Sequence, residues 1–192
     1  MFVANPEDYG ALFQWGRKGD GHEQRTSAIH SGTVGGSSNF DANGQIISWY
    51  PAYGKFITIT TSSFPPSLDW RSPQIDNLWN SGTESSPIKT ANDPCPAGWR
   101  IPTSEELQSL VGYECEWDAL KKGRYFCDGT NRVFFPAAGA RSSINGNVSL
   151  TGENGYYCSS FDAHAMFVNS GYDVGMTCYQ RAVGFSVRCV AE

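Results

Sequence analysis

The residues with the richest chemistry in this chain are six cysteines and three histidines. The histidines are residues 22, 30 and 164, and the cysteines are residues 95, 115, 127, 158, 178 and 189. No two cysteines have the C-x-x-C spacing and no histidine stands at a metal-ligand spacing, so the sequence predicts no zinc site. Two alternatives stay open for the cysteines: disulfides in an oxidising environment, or buried thiols in a reducing one.

Motifs for hydrolysis and for calcium-dependent sugar binding are absent from the sequence. There is no G-x-S-x-G elbow, and His22-Glu23 is not followed by the second histidine of a metalloprotease helix. Calcium-dependent sugar binding needs a cluster such as Glu-Pro-Asn, and Asp162 and Asp173 have no such support. The sequence therefore predicts neither a metal nor another cofactor.

Composition restricts the class of partner. A net charge of -5 and a pI near 5.2 argue against a nucleic-acid surface, which needs a basic face. No apolar run is long enough to insert into a membrane, and residues 1–8 do not resemble a signal peptide. We therefore expect a cytoplasmic or virion-associated protein, or a cell-surface protein if a native signal has been removed. The missing signal slightly favours thiols over disulfides.

The length and composition predict one loop-rich α+β domain over residues 1–192. Only 17% of the residues are charged, whereas 14% are aromatic and 21 are glycine, so turns and strand-packing rings outnumber helix formers. Residues 19–90 form a loop-rich insert. Alternating or β-branched runs predict strands at residues 56–61, 132–136, 156–160 and 163–168.

The clearest alternation lies at the C-terminal end, over residues 184–190. Phe185, Val187 and Cys189 are predicted to face a core, with Ser186 and Arg188 on the opposite, solvent side. A strand of this quality must pair with strands formed much earlier in the chain. It would also support the irregular segment before it as a loop.

Two helices are predicted in the middle of the chain. Thr103 and Glu106 have the spacing of a capping box, and Leu107 begins an apolar stripe that continues at residues 110 and 111. Residues 116–122 fit a second, shorter helix that ends at Gly123.

Several segments resemble a known family. They are residues 77–79, 89–103, 134–141, 155–160 and 184–190, with a looser match at 9–15. These segments resemble the Fibrobacter major paralogous domain family, which is common in surface proteins of gut Bacteroidetes. Together they extend over nearly the whole chain. The family usually has tryptophan where this chain has Cys158.

The resemblance implies a C-type-lectin-like fold, related to that of the formylglycine-generating enzymes. It also implies that Cys95 and Cys189 lie close together and can pair. Some proteins of this fold are variable proteins of diversity-generating retroelements, in which mutagenesis rewrites a ligand surface just before a fixed final strand.

Residues 156–183 have the look of such a variable segment. At residues 161–164 and 172–180, aromatic anchors and adaptable polar groups are mixed without periodicity, as in antibody paratopes. The predicted ligand-binding residues are Phe161, Asp162, His164, Met166, Tyr172, Asp173, Met176, Thr177, Tyr179 and Gln180. Met176 and Gln180 cannot arise from adenine changes in an asparagine codon. The alternative interpretation is an ordinary surface loop.

These features together predict a non-catalytic receptor or adhesin that binds a protein or glycan on a cell surface. One alternative is a cysteine oxidase of the formylglycine-generating type, with Cys158 and Cys178 as its cysteine pair. Neither cysteine lies in a motif that matches those enzymes. The other alternative is a structural domain of a cell surface or pilus.

Overall fold

The computed structural model describes residues 5, 8–59, 68–161, 163–171 and 173–192. Within them the chain forms short strands in five sheets, one α-helix and one 3₁₀ turn. The helix is α1 (Ser104–Gln108). The strands are β1 (Phe13–Gln14), β2 (Ile29–Ser31), β3 (Phe56–Thr58), β4 (Trp99–Arg100), β5 (Glu114–Asp118), β6 (Gly123–Asp128), β7 (Asn131–Pro136), β8 (Ala140–Arg141), β9 (Val148–Ser149), β10 (Asn154–Cys158), β11 (His164–Asn169), β12 (Val174–Cys178), β13 (Gly184–Phe185) and β14 (Val190–Ala191).

The two ends of the chain meet in one sheet, with the strand order β1-β13-β8-β9. Phe185 pairs with Phe13, and Gly184 pairs with Arg141. Farther along, β14 pairs with β4. The prediction that the C-terminal segment pairs with much earlier strands is confirmed.

The prediction of one continuous strand over residues 184–190 is wrong, because β13 and β14 are separate. Phe185 is buried, and Val187 and Cys189 pack against the same core. Ser186 and Arg188 do not face solvent as predicted. Ser186 is buried where its backbone bonds to β10, and the Arg188 guanidinium lies 5.0 Å from the centre of the Phe135 ring.

Two hydrophobic clusters form the core, and the sheet β10-β11-β12 lies between them. The larger cluster contains three buried tryptophans and Phe185. The smaller one contains Leu107, Phe126 and Phe135, and it packs on Met166 of β11. Alternate residues of the central strand β11 therefore pack into different clusters, because neighbouring side chains of a strand point to opposite faces.

Helix α1 confirms the predicted capping box. The Thr103 hydroxyl accepts the Glu106 N–H at 3.3 Å, and the Glu106 carboxylate accepts the Thr103 N–H at 2.8 Å. Both Glu106 oxygens also accept from Arg100 at 2.6 Å, while Leu107 is buried. The helix is thereby fixed against the smaller cluster.

The predicted helix at residues 116–122 is wrong, because the segment contains the end of β5 and a turn into β6. Asp118 accepts the N–H groups of Leu120 and Lys121, which stabilises the turn instead of a helix. Gly123 begins β6 rather than ending a helix. A Cβ there would lie 2.3 Å from the Phe134 ring, so the hairpin β6–β7 needs glycine at this close approach.

Within the described part of residues 19–90, most residues lie in turns and loops around two short strands. β2 and β3 pair in parallel, and His22, Val34 and Trp70 are buried. Residues 60 and 61 of the strand predicted at 56–61 lie outside the described residues. Within the described chain, no helix has the length and apolar character needed to cross a bilayer.

The cysteines are divided between disulfides and thiols. Cys95 and Cys189 form a disulfide, as the family resemblance implies, and Cys127 is disulfide-bonded as well. Cys158 is a buried thiol and Cys178 an exposed one. The slight preference for thiols is therefore wrong for the three disulfide-bonded residues.

Candidate ligand-binding surface

The segment predicted to bind ligand is a β-hairpin, not an irregular loop. Strands β11 and β12 pair antiparallel, with Met166 opposite Met176 and Ala165 opposite Thr177. In the described sheet β12 is the outer strand, so it presents an open edge. Regular pairing places neighbouring side chains of β12 on opposite faces, which the sequence pattern alone did not reveal.

One face of the hairpin is occupied by core packing. Met166 is fully buried in the smaller cluster, and Met176 and Val174 pack against that cluster. The hairpin also contacts α1 along this side. Met166 therefore belongs to the core and not to a binding surface, which corrects its predicted role, and Met176 is largely committed to packing.

Tyr179 is part of an aromatic cluster that supports the hairpin. Its ring makes edge contacts with Tyr156 and Phe185, with centroid distances of 5.5 and 4.7 Å. Burial raises the pKa of Tyr179 to about 12, and Tyr156 adds to this effect. Tyr179 is thus a packing residue at the base of the predicted surface.

The residues after Tyr179 connect the hairpin to the rest of the molecule. The side-chain Oε1 atom of Gln180 accepts a hydrogen bond from the Ser143 hydroxyl at 2.8 Å. The buried Arg181 donates to Asp76 at 2.7 Å and stacks over Trp15. These contacts fix the return of the chain into β13.

Three predicted residues remain accessible at the hairpin. Asp173 is exposed, while Phe161 and Thr177 are partly exposed. Thr177 points away from the smaller cluster, because it alternates with Met176 along β12. Asp162 and Tyr172, which were also predicted, lie outside the described residues.

His164 contacts Cys178 across the hairpin. Its Nε2 atom lies 2.9 Å from the exposed Cys178 sulfur. Cys158 pairs with Ala165, one position along from His164, so Cys158 and Cys178 lie on opposite faces of the sheet. Burial raises the pKa of the Cys158 thiol, which keeps it protonated and inert. The structure does not bring together the cysteine pair that the oxidase alternative needs.

A cavity of about 500 Å³, which the sequence interpretation missed, lies between the two ends of the chain. Tyr9, Trp99 and Arg188 contribute to its lining. Ser186 is also among the lining residues, and its buried hydroxyl has no hydrogen-bond partner in the described residues. The segments around Tyr9 and Arg188 were predicted from the sequence only as parts of the packed core. The volume is in the range of small-molecule sites.

Asp20, His22 and Glu23 form another cluster that the sequence interpretation missed, with possible metal-ligand atoms within 4.8 Å of one another. Each atom of the His22 ring that could bind a metal already has a partner. Nε2 accepts the Gln14 N–H, and Nδ1 lies 2.7 Å from Asp20. Asp20 also pairs with Arg17 at 2.7 Å. Because both ring nitrogens of His22 are already hydrogen-bonded, the arrangement is that of a buried ion-pair network.

Comparisons with known proteins give no assignment: no family model, curated protein or solved structure matches this chain.

Proposed function

We propose that this chain is a non-catalytic recognition protein that displays a ligand-binding hairpin, β11–β12, on a C-type-lectin-like scaffold. The observation that carries the proposal is that the hairpin is packed on both faces yet leaves residues accessible at its loop ends and on its outer strand. Met166 and α1 hold one face and Ala165 packs in the larger cluster on the other, whereas Phe161, Asp173 and Thr177 remain accessible. The scaffold assignment rests on the sequence resemblance, with which short strands and a lone helix are compatible.

Such a surface would bind with little ordering cost. Tyr179 and Arg181 hold the chain where it leaves the hairpin, so the hairpin conformation already exists before the ligand binds. Affinity then comes from apolar area removed from water, at about 25 cal/mol per Å² before binding costs are subtracted. Substitutions of the accessible residues would change which ligand is bound without unfolding the domain.

The ligand class that we propose is a protein or glycan on a cell surface, bound by a phage or bacterial surface protein. We further propose that the segment is diversified by a retroelement. This second part requires a reverse-transcriptase gene and a near-identical, asparagine-rich template repeat beside the gene. A fully sequenced genomic neighbourhood that contains neither the reverse-transcriptase gene nor the template repeat would contradict diversification. It would not contradict the proposed recognition function.

The proposed function is tested with an array of glycans and bacterial surface proteins. We expect the protein to bind at least one array member. The triple variant Phe161→Ala, Asp173→Ala, Thr177→Ala should lose that binding and keep the same thermal midpoint. Trp49→Ala is the matched control, because Trp49 is 80% exposed and lies outside the hairpin. Equal binding by the triple variant and the control would contradict the proposal, and binding to no member would favour a structural domain.

A further inference from the structure

The contact between His164 and Cys178 places an imidazole against an accessible thiol. The two residues are directly paired on neighbouring strands, with 2.9 Å between Nε2 and the sulfur. The Nδ1 atom of His164 is buried and makes no hydrogen bond to the described residues. The Cys178 sulfur is therefore the hydrogen-bond partner of the imidazole among the described residues. Cys178 itself is exposed, so a reagent can reach its sulfur.

We infer that Cys178 and His164 form a reactive thiol–imidazole pair and that Cys178 is a modification site for small-molecule disulfides such as oxidised glutathione or cystine. A thiolate is the reactive form of cysteine, and an adjacent histidine produces it by accepting the thiol proton. The inference does not depend on the proposed function. Cys178 lies on the opposite face of β12 from Thr177, outside the proposed ligand surface.

The state of the other cysteines identifies the reagent class. Cys95, Cys127 and Cys189 are disulfide-bonded, so the folded chain is adapted to conditions in which disulfides persist. Under such conditions small disulfides are the ordinary partners of an exposed thiol. The other free thiol, Cys158, is only 3% exposed and cannot compete for them.

The reaction is a thiol–disulfide exchange. His164 takes the proton of Cys178, and the thiolate attacks one sulfur of the small disulfide. A bond forms between the Cys178 sulfur and that sulfur as the disulfide of the reagent breaks. The departing thiolate takes the proton back from His164. Cys178 is oxidised to a mixed disulfide, and half of the reagent is reduced to a free thiol, so atoms and electrons balance.

The test follows the adduct on the non-reduced, full-length protein by intact mass spectrometry, with oxidised glutathione as the probe. We expect one adduct, mapped to Cys178, and none on Cys178→Ser. Cys158→Ser should react like the wild type. The wild-type rate should exceed that of a synthetic peptide of residues 176–180 by about tenfold or more, because the peptide lacks the imidazole.

His164→Gln should lower the rate to that of the peptide, with circular dichroism showing an unchanged fold. If this variant does not fold, the comparison between wild type and peptide decides alone. The inference would be overturned by a wild-type rate equal to the peptide rate, by a folded His164→Gln variant with undiminished rate, or by an adduct that maps to Cys158. A covalent dimer in place of the adduct would overturn it as well.

Discussion

His22 is a neutral histidine enclosed by charged neighbours. Burial, together with the positive charge of Arg17, lowers its pKa to about 4, although Asp20 opposes the shift. Burial alone would favour a protonated Asp20, but the hydrogen bond from His22 and the Arg17 charge outweigh it and lower the pKa of that carboxyl. The Asp20 carboxylate thus lies between the Arg17 guanidinium and an uncharged His22 ring.

This network makes stability depend on pH. The pKa of histidine in the unfolded chain is about 6.5. Between that pH and about pH 4, the unfolded state therefore binds more protons than the folded state. The free energy of unfolding should therefore fall as the pH drops through this window, by up to about 3 kcal/mol from His22. In His22→Gln this contribution disappears. Urea unfolding at pH 7 and pH 4.5 measures it.

Asp69→Asn is the matched control, because its effect has the opposite sign. Burial raises the pKa of Asp69 to about 6, against the opposing charge of Arg181. The folded state then binds more protons than the unfolded state between about 4 and 6, so Asp69 reduces stability as the pH rises. Asp69→Asn should steepen the loss of stability on acidification, whereas His22→Gln should flatten it. Parallel pH profiles for the wild type and both variants would contradict this account.

Among the elements, α1 could be predicted from sequence and the strand β5 could not. The capping box of α1 is a local signal, complete within Thr103 and Glu106. Residues 116–122 carry a helix-like pattern, but β5 is formed by pairing with β6, and the close approach at Gly123 depends on Phe134. These partners lie on neighbouring strands, and the periodicity within one segment gives no sign of them.

The candidate site shows the same limit. The sequence indicated the correct segment, since Asp173 and Thr177 are accessible. It could not separate them from Met166 and Tyr179, because the two faces of a hairpin are set by its register and by the cluster beneath it. The cavity lined by Tyr9 and Arg188 was not predicted, because it forms between opposite ends of the chain.

At the hairpin, Tyr179→Ala and Thr177→Ala should behave differently. The Tyr179→Ala variant loses the ring contacts with Tyr156 and Phe185, so we expect its free energy of unfolding to be lower by about 2 kcal/mol or more. Thr177→Ala should stay within about 0.5 kcal/mol of the wild type, as for other accessible positions. Denaturant unfolding of both variants checks this. Equal losses would show that Thr177 is packed as tightly as Tyr179 and would contradict the prediction.

For the whole molecule, the Cys95–Cys189 disulfide links the middle of the chain to its end. The two cysteines are 94 residues apart. Closing a loop of that size restricts the unfolded chain and stabilises the fold by about 4 kcal/mol. The double variant Cys95→Ser, Cys189→Ser should lose stability of that order, whereas Cys178→Ser should lose almost none. Guanidinium unfolding without reductant measures both, and a loss below about 1 kcal/mol in the double variant would contradict the prediction.

The central claim is that ligand binds at the hairpin, and hydrogen–deuterium exchange tests it most directly. The protein is compared with and without an array member that it binds. The account predicts slower exchange at the open edge of β12 and at residues 170, 171 and 173, with no change around the cavity lined by Tyr9, Trp99 and Arg188. Protection of the cavity segments with an unprotected hairpin would contradict the account.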